Sequence, residues 1–169
     1  MTTTLKIRKY GDPVLRKKTE TISEIDDRVK KLAYDMLETM YSTPGVGLAA
    51  PQVGVSLRLC IVNADINRKS PIIMINPVIV LCENKISGEE GCLSFPGFYE
   101  NIKRYENIIA RYIDLKEKMQ EIKAQGFLSR IIQHEIDHLD AKLFIDYLQE
   151  WRRKFIERKI KRNMKTGKW

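Results

Sequence analysis

The residues most able to do chemistry in this chain are His134-Glu135-Ile136-Asp137-His138. On a helix, residues four apart share one face, so both imidazoles can reach a single metal ion. The glutamate beside the first histidine can then act on a metal-bound water, whose pKa the ion lowers, by taking and returning a proton. These are the only two histidines of the chain. The plainer reading is a helix with two surface or core histidines beside acidic residues. Asp137 lies off the shared face and reads as a supporting or capping group, not a ligand.

A catalytic zinc-type site takes three protein ligands and keeps one position open. With no third histidine, the third ligand is a carboxylate or a cysteine. Cys92 sits in the polar, glycine-containing segment Glu90-Gly91-Cys92-Leu93-Ser94, just before Pro96-Gly97. Cys60 and Cys82 instead lie in apolar runs and read as small buried hydrophobes. Spacing alone leaves Cys92 and a carboxylate both open. Three cysteines without a CxxC pair argue against a disulfide framework and fit a reducing compartment. A further segment, Gly45-Val46-Gly47-Leu48-Ala49-Ala50-Pro51-Gln52, combines two glycines that permit close backbone approach with an amide donor. By itself it could be a packed turn. It is not a dinucleotide fingerprint, because the third glycine is missing and no strand clearly precedes it.

These side chains need elements to position them. Val29, Leu32, Ala33, Met36, Leu37 and Met40 follow helical spacing, with Ser23 or Asp26 available as cap and Thr43-Pro44-Gly45 as the stop. Apolar runs at Leu57–Val62, Ile72–Ile75 and Val78–Leu81 predict strands, and a hairpin is expected from Ile108 to Ala124. After Gly126, residues Phe127 to about Leu139 form a second helix, apolar on several sides and so expected to be central and buried. A third helix is expected from near Tyr147 into the tail. The pattern predicts an α+β fold, short β-sheets packed around a central HExxH-bearing helix with a C-terminal helix. No repeat or low-complexity linker divides residues 1–169, so one catalytic domain is expected.

The net charge of +8 is unevenly spread. Glu150 to Trp169 carries nine Lys/Arg against two Glu, while the other 149 residues carry 21 basic and 20 acidic side chains. The basicity belongs to a helix or tail at about 148–169. Its plain reading is a solvated helix whose Trp151, Phe155, Ile156 and Ile160 pack on the body. The sharper one is contact with a polyanion such as RNA through Arg152, Arg153, Lys154, Arg158, Lys159, Lys161 and Arg162. No apolar run approaches the ~20 residues of a membrane span. Met1–Tyr10 alternates polar and apolar without a signal-peptide core, so a cytoplasmic protein is expected.

Taken together, Gly45–Gln52, Glu90–Ser94 and Gln133–Leu139 resemble the three signature motifs of the peptide deformylase family, GxGLAAxQ, EGCLS and QHExDHL, in the family's order. The resemblance extends to Lys142-Leu143-Phe144 and covers nearly the whole chain. It implies hydrolysis of the N-formyl group from the N-terminal methionine of newly made polypeptides, releasing formate. It further implies Cys92, His134 and His138 as ligands of one divalent ion, Fe2+ foremost, with Zn2+, Ni2+ or Co2+ as alternatives. Glu135 would be the general acid/base, and the Gln52 amide and Leu93 N–H would face the oxyanion. Substrate would bind as an added strand along Gly45, Val46, Gly47 and Gly91, with its methionine in a pocket formed by Val46, Phe127 and Ile131. Two departures stand out. Asp140-Ala141 replaces a family glycine, which is compatible only with a backbone that does not need positive φ there. Phe98-Tyr99 fills the region where some members carry a substrate-anchoring arginine. The competing readings are a zincin-type endopeptidase, which would take a third ligand other than Cys92, and a non-catalytic RNA-binding module.

Overall fold

The computed structural model describes residues 2–65, 67 and 69–169. Met1, the first residue of the N-terminal segment read above, lies outside the described residues. Helix α1 (Asp27–Tyr41) starts where the Asp26 side chain accepts a hydrogen bond from the Val29 N–H at 2.9 Å, so Asp26 is the cap. It buries Val29, Ala33, Met36 and Met40 against strands β1 (Gly47–Ala49) and β2 (Leu59–Val62). Strands β3 (Ile72–Gly91), β4 (Tyr99–Ile113) and β5 (Met119–Gln125) complete an antiparallel sheet ordered β1-β2-β3-β4-β5. Helix α2 (Gly126–Leu139) is nearly all buried and packs against that sheet through Ile131, Ile132, Ile136 and Leu139. Helix α3 (Glu150–Lys165) follows a short 3-10 turn at Phe144–Tyr147. The α+β class holds, with the HExxH helix at its centre.

The strand boundaries differ from expectation. Ile72–Ile75 and Val78–Leu81 belong to one twenty-residue strand that passes through register shifts at 75/78 and 79/81. The first shift accommodates Pro77, which cannot donate to the ladder. It also leaves Asn76 at φ 51°, held by its side chain on the Ile22 N–H and carbonyl. Beyond the shifts β3 leaves the core, so Cys82 is exposed, contrary to the buried role read from its neighbours. Cys60 is buried as expected.

The C-terminal helix also corrects the sequence reading. Only Ile156 and Ile160 enter the core, beside Phe95, Phe98, Phe144 and Leu15, whereas Trp151 and Phe155 face solvent. Two apolar anchors one turn apart suffice, at about 1.5–3 kcal/mol each for full burial.

Ala141 adopts φ +60°, so the backbone after α2 needs the left-handed conformation that favours glycine. Lys142 N–H returns to the Asp137 carbonyl at 2.8 Å and closes the helix end despite the Cβ. Replacing Ala141 with Gly should raise stability by about 0.5–1 kcal/mol, since relief of a 1–2 kcal/mol strain exceeds glycine's extra unfolded-state entropy. Urea unfolding checks this; an unchanged or lower midpoint would contradict it.

Candidate metal and catalytic site

Helix α2, the turn after β3 and the segment around β1 meet in a cleft of about 690 Å³. Its lining includes Gly45, Val46, Gly47, Gln52, Gly91, Cys92, Leu93, Phe127, Ile131, His134 and Glu135, so nearly all the residues singled out from sequence converge here. His138 joins them from one turn further along α2, with its Nε2 3.3 Å from Cys92 Sγ.

One ligand atom each from Cys92, His134 and His138 lies within 4.8 Å of the other two. Tetrahedral ligands at about 2.0–2.3 Å from an ion stand roughly 3.3–3.8 Å apart, so this set closes on a cation with small side-chain adjustments. Among the described residues it is the one His/Cys/Asp/Glu group of this kind. The side chain that the fold groups with both histidines is Cys92, whereas the Glu90 carboxylate meets His134 alone, at Nδ1.

The histidines are set up differently. His134 Nδ1 lies 3.0 Å from Glu90 Oε2, which fixes the ring and leaves Nε2 to the cleft. Burial works against charge on His134, but hydrogen bonds with Cys92 and Glu90 overcome it and hold its pKa well above the ordinary value. His138 is held well below the ordinary value by burial and by the adjacent His134. Its Nδ1 is buried without a protein hydrogen-bond partner. Imidazoles and a thiol packed together in this way suit a bound cation, which takes up the lone pairs they present to each other.

Glu90 lies at the centre of a buried ionic network that the sequence reading missed. Arg104 from β4 bonds both its oxygens, at 2.8 and 3.0 Å, and also reaches Asp137. Arg130 from α2 donates to Glu90 at 2.8 Å and to the Ile102 carbonyl at 2.9 Å. Burial alone would raise the Glu90 pKa, but the hydrogen bonds from His134 and Arg104 bring it down to about 2. Asp137 also accepts from the Tyr147 hydroxyl at 3.0 Å, so it supports the network and does not point at the ligand cluster. A carboxylate behind a ligating histidine typically carries 10–100-fold of metal affinity. Glu90→Gln should weaken metal binding by about that factor, as read by competition with a chelator. Undiminished affinity would mean that His134 is oriented by other contacts.

The glycines of the first motif are explained by close approach. A Cβ on Gly47 would lie 2.3 Å from Glu135 Oε1, and one on Gly45 would lie 2.8 Å from Leu93 Cδ1. The strand can therefore lie against Glu135 only as glycine. Gln52 accepts from the Ala49 N–H at 2.9 Å through Oε1, which turns its Nε2 toward Cys92 Sγ at 3.4 Å and Ser94 Oγ at 3.3 Å. Its amide thus donates into the cleft. Leu93 follows Cys92 in the turn closed by the Phe95 N–H on the Cys92 carbonyl. The N-terminal segment ties both motifs down, with Arg8 N–H on the Gln52 carbonyl and Tyr10 N–H on the Ser94 carbonyl. Sequence carried no signal for these backbone ties.

Glu135 is 3% exposed, and its Oε2 has no protein partner. Burial outweighs the neighbouring charge of His134 and pushes its pKa up to about 7. A carboxyl poised near neutrality can both take and give a proton.

Known proteins share this architecture. Residues 4–154 match the family model described as polypeptide deformylase. A peptide deformylase of Endomicrobium trichonymphae is 67% identical over 98% of each chain. The crystal structure of a peptide deformylase from Legionella pneumophila superposes with a TM-score of 0.90 at 40% identity, covering 98% of both chains. That of the Ehrlichia chaffeensis peptide deformylase in complex with actinonin gives 0.91 at 38%, covering 96% of this chain and 98% of the other. On this likeness in sequence and fold, the chain belongs to the polypeptide deformylase family.

Proposed function

We propose that this chain removes the N-formyl group from the N-terminal methionine of newly synthesised polypeptides, using residues 1–169 as one catalytic domain and Cys92, His134 and His138 to hold a divalent ion. The observation that carries this reading is the convergence of those three ligand atoms with Glu135 and the Gln52 amide in one cleft. When bound, the ion supplies Lewis acidity toward the formyl oxygen and water. Glu135 takes a proton from the attacking water and returns it to the departing amine nitrogen, so that formate and a free N-terminus result. The Gln52 Nε2–H and the Leu93 N–H donate to the formyl oxygen as negative charge builds there. The peptide lies extended between Gly45–Gly47 and Gly91, with its methionine side chain against Val46, Phe127 and Ile131. Fe2+ is the ion we favour. Zn2+, Ni2+ and Co2+ share the donor preferences of a thiolate with two imidazoles.

Formate release from formyl-Met-Ala-Ser, compared with acetyl-Met-Ala-Ser, tests the reaction. Formate from the first peptide alone is expected. Cleavage of an internal peptide bond in its place would favour an endopeptidase.

A cytoplasmic enzyme meeting its substrate at the ribosome fits this role, and no helix of the described residues is long and apolar enough to cross a membrane. Helix α3 leaves Lys154, Arg158, Lys159, Lys161 and Arg162 exposed while Ile156 and Ile160 fasten it to the body, which supports docking on ribosomal RNA. Charge reversal of Lys154, Arg158, Lys161 and Arg162 should abolish co-sedimentation with ribosomes at low salt and flatten its salt dependence. Unchanged co-sedimentation would refute the contact.

A further inference from the structure

We propose that Tyr147 is a positioning residue of the metal centre, acting on His134 through Arg104 and Glu90; this rests on the metal-binding reading above. Tyr147 ends the 3-10 turn Phe144–Tyr147, whose Phe144 and Ile145 are buried in the core. Asp146 of the same turn accepts from the Leu143 N–H at 2.9 Å and pairs with Arg16, so the turn is fastened on both sides. From this seat the Tyr147 ring packs on the Arg104 guanidinium, whose carbon lies 4.6 Å from the ring centre. Its hydroxyl donates to Asp137 at 3.0 Å. The same guanidinium donates to Asp137 and to both oxygens of Glu90, and Glu90 Oε2 meets His134 Nδ1 at 3.0 Å. Tyr147 thus holds the cation by its face and one of the cation's two carboxylates by its hydroxyl.

Arg104 is 4% exposed, whereas Tyr147 is 48% exposed. The tyrosine therefore stands between solvent and the guanidinium, with one ring face given to the cation. An aromatic face attracts a cation, and more strongly once the cation is desolvated. With water held off, the attraction between Arg104 and Glu90 acts in a medium of low dielectric and keeps the carboxylate in one orientation. That carboxylate in turn fixes the plane of the His134 imidazole. Removing the ring admits water to the guanidinium, lets Glu90 turn and loosens His134, although no ligand has been altered. A surface tyrosine that only satisfied Asp137 would have no effect that depends on Glu90.

Loss of Co2+ from the loaded protein to excess EDTA, timed at neutral pH, tests this in a double-mutant cycle with Glu90→Gln. Tyr147→Leu should speed the loss roughly 3- to 10-fold, less than the about 10–100-fold carried by a carboxylate in direct contact with the ligand. Combined with Glu90→Gln, the same substitution should add less than about 2-fold, because the link it acts through is gone. Tyr147→Phe keeps the ring and loses only the bond to Asp137. It should speed the loss about 2-fold alone and not at all beside Glu90→Gln. Urea unfolding of the stripped proteins reports whether each variant folds; should Tyr147→Leu fail, Tyr147→Phe carries the cycle. A wild-type rate of loss, or an equal acceleration in both backgrounds, would show that Tyr147 does not act through Glu90 and would overturn the proposal. No substrate enters the measurement, so either result leaves the deformylase reading standing. A wild-type protein that binds no Co2+ would remove the ligand set and this role together.

Discussion

Replacing Glu135 with Gln should lower the rate of formate release by about 10²- to 10⁴-fold while leaving metal content unchanged. The substitution keeps the shape of the side chain, so the close packing against Gly47, which leaves no room for a Cβ there, is preserved in kind. It removes a buried carboxyl with an unpartnered Oε2 and a pKa pushed up to about 7, the one buried acid of the cleft that is not tied into an ion pair. Glu89 and Glu90, which also border the cleft, differ in this respect: Glu90 is held by two arginines and His134, and Glu89 lies on the exposed run of β3. Single-turnover formate release with metal analysis of the same preparation checks the prediction. A variant that keeps a tenth or more of wild-type activity would show that another group moves the proton.

Arg104→Met should destabilise the protein by about 3–5 kcal/mol at neutral pH, because it strips the cation from a buried pair and leaves the carboxylates uncompensated. Arg104 is 4% exposed and holds Glu90 by two hydrogen bonds and Asp137 by a third. Arg130 cannot replace it at Asp137, since its bonds run to Glu90 and to carbonyls of Gly88, Ile86 and Ile102. The pH dependence has a definite sign. Glu90 titrates at about 2 in the folded protein against an ordinary 4.5, so its contribution to stability is present above 4.5 and is lost as pH falls toward 2. The deficit of Arg104→Met should therefore be greatest at neutral pH and shrink through that window. Urea unfolding of both proteins with chelator present, at pH 7 and near pH 3, reads it. A deficit below about 1 kcal/mol at pH 7 would mean that water reaches the network.

The pairing of the two histidines was legible in sequence because its logic is local: residues four apart on a helix share a face. Cys92 was one of two open readings from its surroundings, and only the resemblance to the family singled it out. The support behind them was not legible. Glu90 finds Arg104 across 14 residues and Arg130 across 40, partners that only the β3–β4 pairing and the seat of α2 bring together. The outer half of β3 was missed for a related reason. From Cys82 to Glu89 it is exposed almost throughout, so no alternation of apolar and polar residues announces a strand. Trp151 and Phe155 misled in the opposite direction, since helical spacing names a stripe but not how much of it the body covers. At Ala141 the family glycine anticipated the truth better than the residue present, as the backbone there does adopt positive φ.

One ion held by Cys92, His134 and His138 is expected to be required for formate release. The most direct test is to strip the protein of metal, add back Fe2+ without oxygen in steps, and measure bound iron and formate release from formyl-Met-Ala-Ser at each step, with Cys92→Ala in parallel. Activity should rise in proportion to bound iron and level off at one equivalent, and the variant should neither retain the ion nor release formate. Activity that persists in the stripped protein, or a Cys92→Ala variant that binds iron and releases formate like wild type, would contradict it.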